Sequence, residues 1–194
     1  MKRLNEYILE RKTKYSGDIN NCPDKIKIIY KILQDLLNTE IEIDINIKAN
    51  ANGIGLDEFK SLAIKNSLGY VVESYVLSFI KNHKINNNLF IVKQTDNDIY
   101  DADINFINKD YLQVEIKTYR DRTDNINFTK EQKQYRNDNL IYIYIKYIQQ
   151  KNNIIFIDNI LLGDYNLIKN QSENIGKHGG ITKNMIQIKS KESE

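Results

Sequence analysis

The sequence predicts an α/β fold with a central mixed β-sheet flanked by helices, and two observations lead to that prediction. Apolar residues recur at helical spacing in the N-terminal half, over 24–37 and 56–81. Beyond residue 88 most segments are instead β-prone, with one short helical pattern near residue 130. Helices followed by strands, a helix and more strands are typical of helices packed on a mixed sheet.

A single domain over residues 1–194 is predicted, because the chain has one proline and no Ser/Pro-rich linker. Its 28 basic and 26 acidic side chains leave a formal net charge of +2. Proteins that coat nucleic acid by neutralising phosphates alone are usually more basic. Any contact with DNA is therefore expected to come from local clusters of basic residues.

The cysteine and histidine content excludes the usual zinc site, since Cys22 is the only cysteine and the two histidines are far apart. A lone cysteine also agrees with a reducing compartment. No apolar run approaches the roughly 20 residues that span a bilayer, and residues 1–12 are charged throughout. We expect a cytoplasmic protein with no membrane partner.

The N-terminal third is predicted to contain two helices and a strand. Residues 1–12 are predicted to form a short helix, and 21–24 is a helix-start signal ahead of the apolar spacing noted above. Polar and apolar residues alternate over 40–47, which indicates a half-buried strand. Residues 50–55 are predicted to form a loop.

A long helix is predicted over 56–81, with a possible break at 67–69. Its predicted core-facing residues are Leu68, Val72, Tyr75, Val76 and Phe79. Strands are predicted at 89–94, 101–107 and 111–118.

A short helix is predicted after Thr129, which forms a capping-box pattern with Gln132. Two strands follow at 140–148 and 153–160, and a further strand is possible at 185–189.

The segment 101–118 carries the most information about chemistry. With a turn at 108–110, strand residues pair so that their numbers sum to 218, and the side chains separate into two faces. One face is apolar and pairs Phe106 with Leu112, Ile104 with Val114 and Ala102 with Ile116. The other is polar and pairs Asp101 with Lys117, Asp103 with Glu115 and Asn105 with Gln113.

The predicted pair of Asp103 and Glu115 indicates a cation site. Directly opposed strand residues have Cβ atoms about 4.5–5.5 Å apart, and two carboxylates at that range repel each other unless a cation lies between them. Carboxylate oxygens suit Mg²⁺. Lys117 lies on the same face, where its ammonium can reach both a water molecule and a phosphate. Together these groups suit phosphodiester hydrolysis.

Asp103 followed by Glu115-Ile116-Lys117 resembles the PD-(D/E)XK nucleases, the superfamily of many type II restriction endonucleases and several repair and junction-resolving nucleases. The resemblance covers residues 66–148, within a core of about 66–160, and Ala102 stands where the family usually has proline. It implies a restriction-endonuclease-like core, with Mg²⁺ held by Asp103, Glu115 and the Ile116 carbonyl. Lys117 would orient or help deprotonate the attacking water.

Three further residues have two interpretations each. The family often has an acid on the preceding helix, where Glu73 lies, but Glu73 could equally be a solvated helix edge. Gln132 matches a glutamine that recurs after Glu-X-Lys, although a helix cap explains it as well. Asp101 could be a second metal-site acid or the ion-pair partner of Lys117.

The resemblance implies a homodimeric type II restriction endonuclease that cuts double-stranded DNA, with residues 1–65 and 149–194 serving dimerisation or base contacts. A repair, recombination or phage-type nuclease is the alternative enzyme. A DNA-binding protein that kept the fold without cutting is the alternative from another class. Basic residues that follow the motif could contact a DNA backbone or be plain solvated surface: Arg120, Arg122, Lys130, Lys133 and Arg136.

Overall fold

The fold is known from a computed structural model. The residues that it describes are 18–43, 56–120, 130–135, 137–151, 154–164 and 185–190. The predicted helix at 1–12, the loop at 50–55 and the second half of the strand at 40–47 lie outside them.

Among the described residues, two long helices pack against the sheet. Helix α1, Asp24–Leu36, begins directly after Pro23 as the start signal predicted, and it follows a short 3-10 helix at Ile19–Asn21. Helix α2, Leu56–Asn82, is continuous. The predicted break at 67–69 is wrong, because Leu68 and Val72 lie one turn apart on a buried stripe that holds the helix together through Gly69.

The other residues of α2 that were predicted to face the core divide into two groups. Val76 is fully buried, and Phe79 packs partly buried against the core. Tyr75 remains 36% exposed and lies at the edge of the buried stripe.

In the part of the chain that the structure describes, seven strands form one mixed sheet in the order β1-β6-β5-β4-β3-β2, with β7 paired to β6. Strands β4 and β5 are parallel and every other pair is antiparallel. The α/β class with a central mixed sheet is therefore confirmed. The strand bounds are β1 Glu40–Glu42, β2 Phe90–Gln94, β3 Ala102–Phe106, β4 Tyr111–Arg120, β5 Leu140–Lys151, β6 Ile154–Asp164 and β7 Ile186–Gln187.

The core lies on one face of the sheet, under α1 and α2. Ala102, Ile104 and Val114 point into it and are fully buried. Each large apolar side chain buried in this way contributes about 1.5–3 kcal/mol. The opposite face carries the polar residues of β3 and β4, beside a second cluster that contains Tyr142 and Tyr144. The predicted sorting of the hairpin into an apolar and a polar face is thus correct.

The register of the hairpin differs from the predicted one by two residues. Ala102 pairs with Val114 and Asp103 with Gln113, so that residue numbers sum to 216. The loop is Ile107–Lys109 rather than 108–110. Lys109 adopts a φ of 69°, and the Phe106 amide donates to the Asp110 carbonyl at 2.8 Å across the loop. This is the usual three-residue hairpin, a turn followed by one left-handed residue.

A contact from α1 holds this loop in place. The Lys25 ammonium donates to Asp110 Oδ1 at 2.7 Å, to Asn139 Oδ1 at 2.7 Å and to the Tyr111 carbonyl at 3.1 Å. A shift of two residues leaves every side chain on its original face. Facial sorting alone therefore could not distinguish the two registers. In the observed register, the Asp101 amide donates to the Val114 carbonyl and the Ile116 amide donates to Asp101 Oδ2.

Across the described ranges, no helix is long and apolar enough to cross a lipid bilayer.

Candidate active site

A cleft of about 530 Å³ opens where β4 continues past the beginning of β3. Helix α2, the 97–101 segment, β4 and the short helix α3, Lys130–Gln134, form its walls. The residues that line it are Gly69, Tyr70, Glu73, Asn97, Asp98, Asp101, Glu115, Ile116, Lys117, Thr118, Glu131 and Gln132.

Of the two aspartates that the sequence analysis considered as site acids, Asp101 is the one that lines this cleft. It lies directly before β3, and its amide donates to the Val114 carbonyl at 2.8 Å, which sets it beside Glu115. The Ile116 amide in turn donates to Asp101 Oδ2 at 2.6 Å. Asp101, which was predicted to lie opposite Lys117, is therefore hydrogen-bonded to the backbone of the Glu115–Lys117 segment.

Asp103 lies outside the cleft, and its predicted pairing with Glu115 is wrong. The two-residue shift in register sets it between Lys93 of β2 and Gln113 of β4. It also lies beside Tyr100, where burial first and the nearby Asp103 carboxylate second raise the pKa of the phenol. Asp101 occupies the position that the sequence analysis assigned to Asp103.

Glu115 is the most deeply buried acid of the cleft, with 4% of the residue exposed. Its Oε1 atom lies 2.5 Å from the Lys117 ammonium and accepts a 2.6 Å hydrogen bond from Gln132 Nε2. Burial, and then repulsion from Asp101, raise the pKa of Glu115 from 4.5 to about 7, against the opposing pull of Lys117 and Gln132. Near neutral pH the Glu115 carboxyl therefore exchanges readily between its two protonation states.

Glu73 belongs to the same cleft. Its Oε1 atom accepts a 3.3 Å hydrogen bond from the Thr118 hydroxyl. Burial and the nearby Asp101 raise the pKa of Glu73 from 4.5 to about 7, and Lys117 and Thr118 oppose that rise. Of the two interpretations of Glu73, the geometry favours the one that places it among the site acids.

The close approach of α2 to β4 depends on a glycine. A Cβ atom at position 69 would lie 3.0 Å from Thr118 Oγ1, closer than side chains normally come. Gly69 thus allows the helix to bring Glu73 against the strand.

Asp101 completes a group of three acids with perturbed pKa values. Burial raises the pKa of Asp101, while the Ile116 amide, Lys117 and a hydrogen bond with the Glu115 carboxyl lower it. Among the described residues, these three carboxyls share the cleft with one ammonium, that of Lys117, and they hold their protons more tightly than free carboxyls do. Clusters of acids with shifted pKa values are common where proteins bind cations or catalyse reactions.

The side chain of Gln132 makes two long-range contacts. Its side chain is 3% exposed, and its amide donates to Glu115 and, at 3.3 Å, to the Ile99 carbonyl. Thr129, its partner in the predicted capping box, lies outside the described residues. The end of α3 is tied to β4, because the Tyr135 hydroxyl and the Asn137 amide each donate to Gln113 Oε1 at 2.7 Å.

The side chains of the five basic residues predicted to contact DNA lie outside the described part of the structure. Arg120, Lys130 and Lys133 have described backbones at the end of β4 and in α3, but their side chains lie outside the described set. Arg122 and Arg136 lie outside the described residues altogether.

Nothing among protein-family models, curated proteins or solved structures matches this chain. The geometry of the cleft is therefore the basis for any functional assignment.

The donor set of the cleft suits a hard divalent cation. Among the described residues, no three His, Cys, Asp or Glu side chains surround a common point closely enough to hold a metal as they lie. Asp101, Glu115 and the Ile116 carbonyl nevertheless offer only oxygen atoms, the ligands that Mg²⁺ takes. A cation between the acids would also offset the repulsion that raises the pKa of Glu115.

Sequence analysis did not single out five other residues of the cleft: Tyr70, Asn97, Asp98, Thr118 and Glu131. Thr118 follows Lys117 directly on β4, and Tyr70 precedes Glu73 by three residues, which is nearly one helical turn. These spacings were visible in the sequence. Their meaning depends on the α2–β4 contact, which the sequence does not reveal.

Proposed function

We propose that this chain is a Mg²⁺-dependent endodeoxyribonuclease of the PD-(D/E)XK type, with Asp101, Glu115 and Lys117 as its reactive residues. The observation that carries the proposal is their convergence in one open cleft, where Glu115 contacts Lys117 at 2.5 Å and Asp101 is bound to the intervening Ile116. Around them the elements run in the order helix α2, strand β2, hairpin β3–β4, helix α3 and strand β5, and this order supports the proposal.

Each residue has a distinct role in the proposal. Asp101 and Glu115, with the Ile116 carbonyl, hold the Mg²⁺ ion, and Glu73 is an additional acid within the same cleft. When bound, Mg²⁺ neutralises phosphate charge and favours ionisation of water. Lys117 points at the same place and stabilises the negative charge that builds on the phosphate oxygens.

The hydrolysis balances with water as the only co-reactant. A water oxygen forms a bond to phosphorus while the bond from phosphorus to the 3′ oxygen breaks. The water gives up a proton, and the leaving 3′ oxygen takes one. The products are a 5′-phosphate and a 3′-hydroxyl, as the resemblance implies.

The raised pKa values of the cleft acids make Mg²⁺ binding depend on pH. Glu115 and Glu73 each have a pKa of about 7, so at lower pH protons compete with the cation for the same carboxyls. Binding of Mg²⁺ would release these protons. The proposal therefore includes activity that declines as the pH falls below neutrality.

The plasmid experiment tests the proposal. Supercoiled plasmid DNA, whose underwound duplex opens locally into single-stranded segments, is incubated with wild type, Lys117→Ala and Lys93→Ala, each with Mg²⁺ and with EDTA. Lys93 is the control, since it is an exposed lysine on β2 outside the cleft. Wild type and Lys93→Ala should cut only with Mg²⁺, and Lys117→Ala should be slower by roughly a hundredfold or more. Equal traces for wild type and Lys117→Ala would contradict the proposal.

The products also separate the kinds of nuclease. Discrete fragments would support the homodimeric type II restriction enzyme that the sequence analysis predicts. A smear, or cutting at branched DNA, would support a repair, recombination or phage-type nuclease. Retarded but uncut DNA would identify a binding protein without cleavage.

A further inference from the structure

Tyr70 is an exposed aromatic residue at the wall of the cleft, and the proposed hydrolysis does not use it. It is 75% exposed, more than any other exposed large hydrophobic residue in the described part of the chain. It lies on α2 three residues before Glu73, so the two side chains share one side of the helix. Both line the same cleft.

The position of Tyr70 is fixed by its neighbours. Gly69 packs against Thr118, and Leu68 and Val72 are buried in the core below. The ring is therefore held on a rigid turn of helix at the cleft wall. An exposed ring beside a phosphodiesterase site offers a flat surface on which a nucleobase can stack.

The charges of the cleft restrict what can enter it. Lys117 is the one cation among the described lining residues, whereas five lining residues are acidic: Glu73, Asp98, Asp101, Glu115 and Glu131. Asp98 and Glu131 are both exposed on the rim. Carboxylates on the rim repel a second phosphate backbone. A single strand brings fewer phosphates past these acids than a duplex does.

The size of the cleft also favours a single strand over a duplex. A volume of about 530 Å³ is in the range of pockets that enclose one small ligand. That space suits a nucleotide whose base has left the stack.

We propose that Tyr70 stacks on the nucleobase beside the scissile phosphate, and that the substrate is DNA with a single-stranded segment at the cleft. This inference rests on the proposed nuclease function and narrows its substrate class. The ring supplies binding without reading sequence, because every base has a flat face.

The test is a binding measurement that requires no cleavage. All variants are made in the Lys117→Ala background with Mg²⁺ and titrated with a short single-stranded oligonucleotide that contains 2-aminopurine. Tyr70→Ala is expected to weaken binding roughly 5- to 100-fold and to abolish the fluorescence change from stacking, whereas Tyr70→Phe keeps both. Because Tyr70 is exposed, neither substitution removes core packing.

Tyr75→Ala is the matched control, since Tyr75 is a partly exposed tyrosine on the same helix outside the cleft. It should bind as the Lys117→Ala parent does. An oligonucleotide without bases at the central positions should bind Tyr70→Ala and the parent equally.

Three results would overturn the inference: equal binding by Tyr70→Ala and the parent, equal losses in Tyr70→Phe and Tyr70→Ala, or tighter binding of a duplex than of the single strand. Failure of the nuclease proposal would give a different result. Binding would still depend on Tyr70, but wild type would leave every DNA uncut.

Discussion

The main-chain amide of Ile116 donates a 2.6 Å hydrogen bond to Asp101 Oδ2. Through this bond, an acid that precedes β3 is held against the strand that carries Glu115 and Lys117. A side chain tied to a backbone amide has little freedom to turn away. The bond therefore fixes Asp101 as the acid beside Glu115 and leaves Asp103 two residue pairs further along the hairpin.

The raised pKa of Glu115 predicts that stability depends on pH. The native carboxyl, with a pKa of about 7, holds its proton more tightly than the unfolded chain, in which the value is 4.5. The resulting stability is fully present below pH 4.5 and is lost as the pH rises through 7. In EDTA, the free energy of unfolding of wild type should fall between pH 5 and pH 8 relative to Glu115→Gln, by on the order of 1–3 kcal/mol.

Urea unfolding at several pH values measures this difference. Glu131→Gln, a change to an exposed acid on the rim, is the control and should follow wild type. Added Mg²⁺ should stabilise wild type at pH 8 more than it stabilises Glu115→Gln. Parallel pH profiles for wild type and Glu115→Gln would show that folding does not raise the pKa of Glu115.

Gln132 should set the acidic limb of the activity profile. Its amide stabilises the ionised form of Glu115, so Gln132→Leu should raise the pKa of that carboxyl further. We expect cleavage at pH 6.5 to fall by roughly two- to tenfold, with recovery towards the wild-type rate as the pH rises. Gln134→Leu changes an exposed glutamine on the same helix and should leave the profile unchanged. A loss that is equal at every pH would indicate a purely structural role for Gln132.

The hairpin shows how far the sequence can predict this structure. Alternation of polar and apolar residues correctly predicted which side chains of β3 and β4 face the core. It could not predict register, because a shift of two residues preserves both faces. The observed register is accompanied by two bonds that the alternating pattern does not reveal, from the Asp101 amide to the Val114 carbonyl and from the Ile116 amide to Asp101.

Gln132 and Glu73 illustrate the same limit for the site. A capping box is a local pattern, and it favoured a local role for Gln132. The observed contact with Glu115 joins residues 17 apart, and the contact between Glu73 and Thr118 joins residues 45 apart. The elements that carry these residues were predicted, but the distances between the elements were not.

Gly69→Ala should weaken the site while leaving the fold intact. The added methyl group would press on Thr118 Oγ1 at 3.0 Å and disturb its bond to Glu73. Replacement of a helical glycine by alanine gains about 1 kcal/mol, which offsets part of the strain. The half-saturating Mg²⁺ concentration for cleavage should rise roughly two- to fivefold, with little change in Tm.

A double-mutant cycle tests the cause. Thr118→Ala removes the hydroxyl that the new methyl group would meet, so Gly69→Ala should add no further effect in that background. Additive effects of the two substitutions would mean that Gly69 acts through some other contact.

Comparison of Asp101→Asn with Asp103→Asn tests the central claim most directly. The two aspartates are two residues apart on the same face, but Asp101 lines the cleft and Asp103 does not. In Mg²⁺-dependent plasmid cleavage, Asp101→Asn should lose at least about a hundredfold in rate, while Asp103→Asn should stay within about threefold of wild type. Loss of cleavage in Asp103→Asn with activity retained in Asp101→Asn would contradict the assignment of the site.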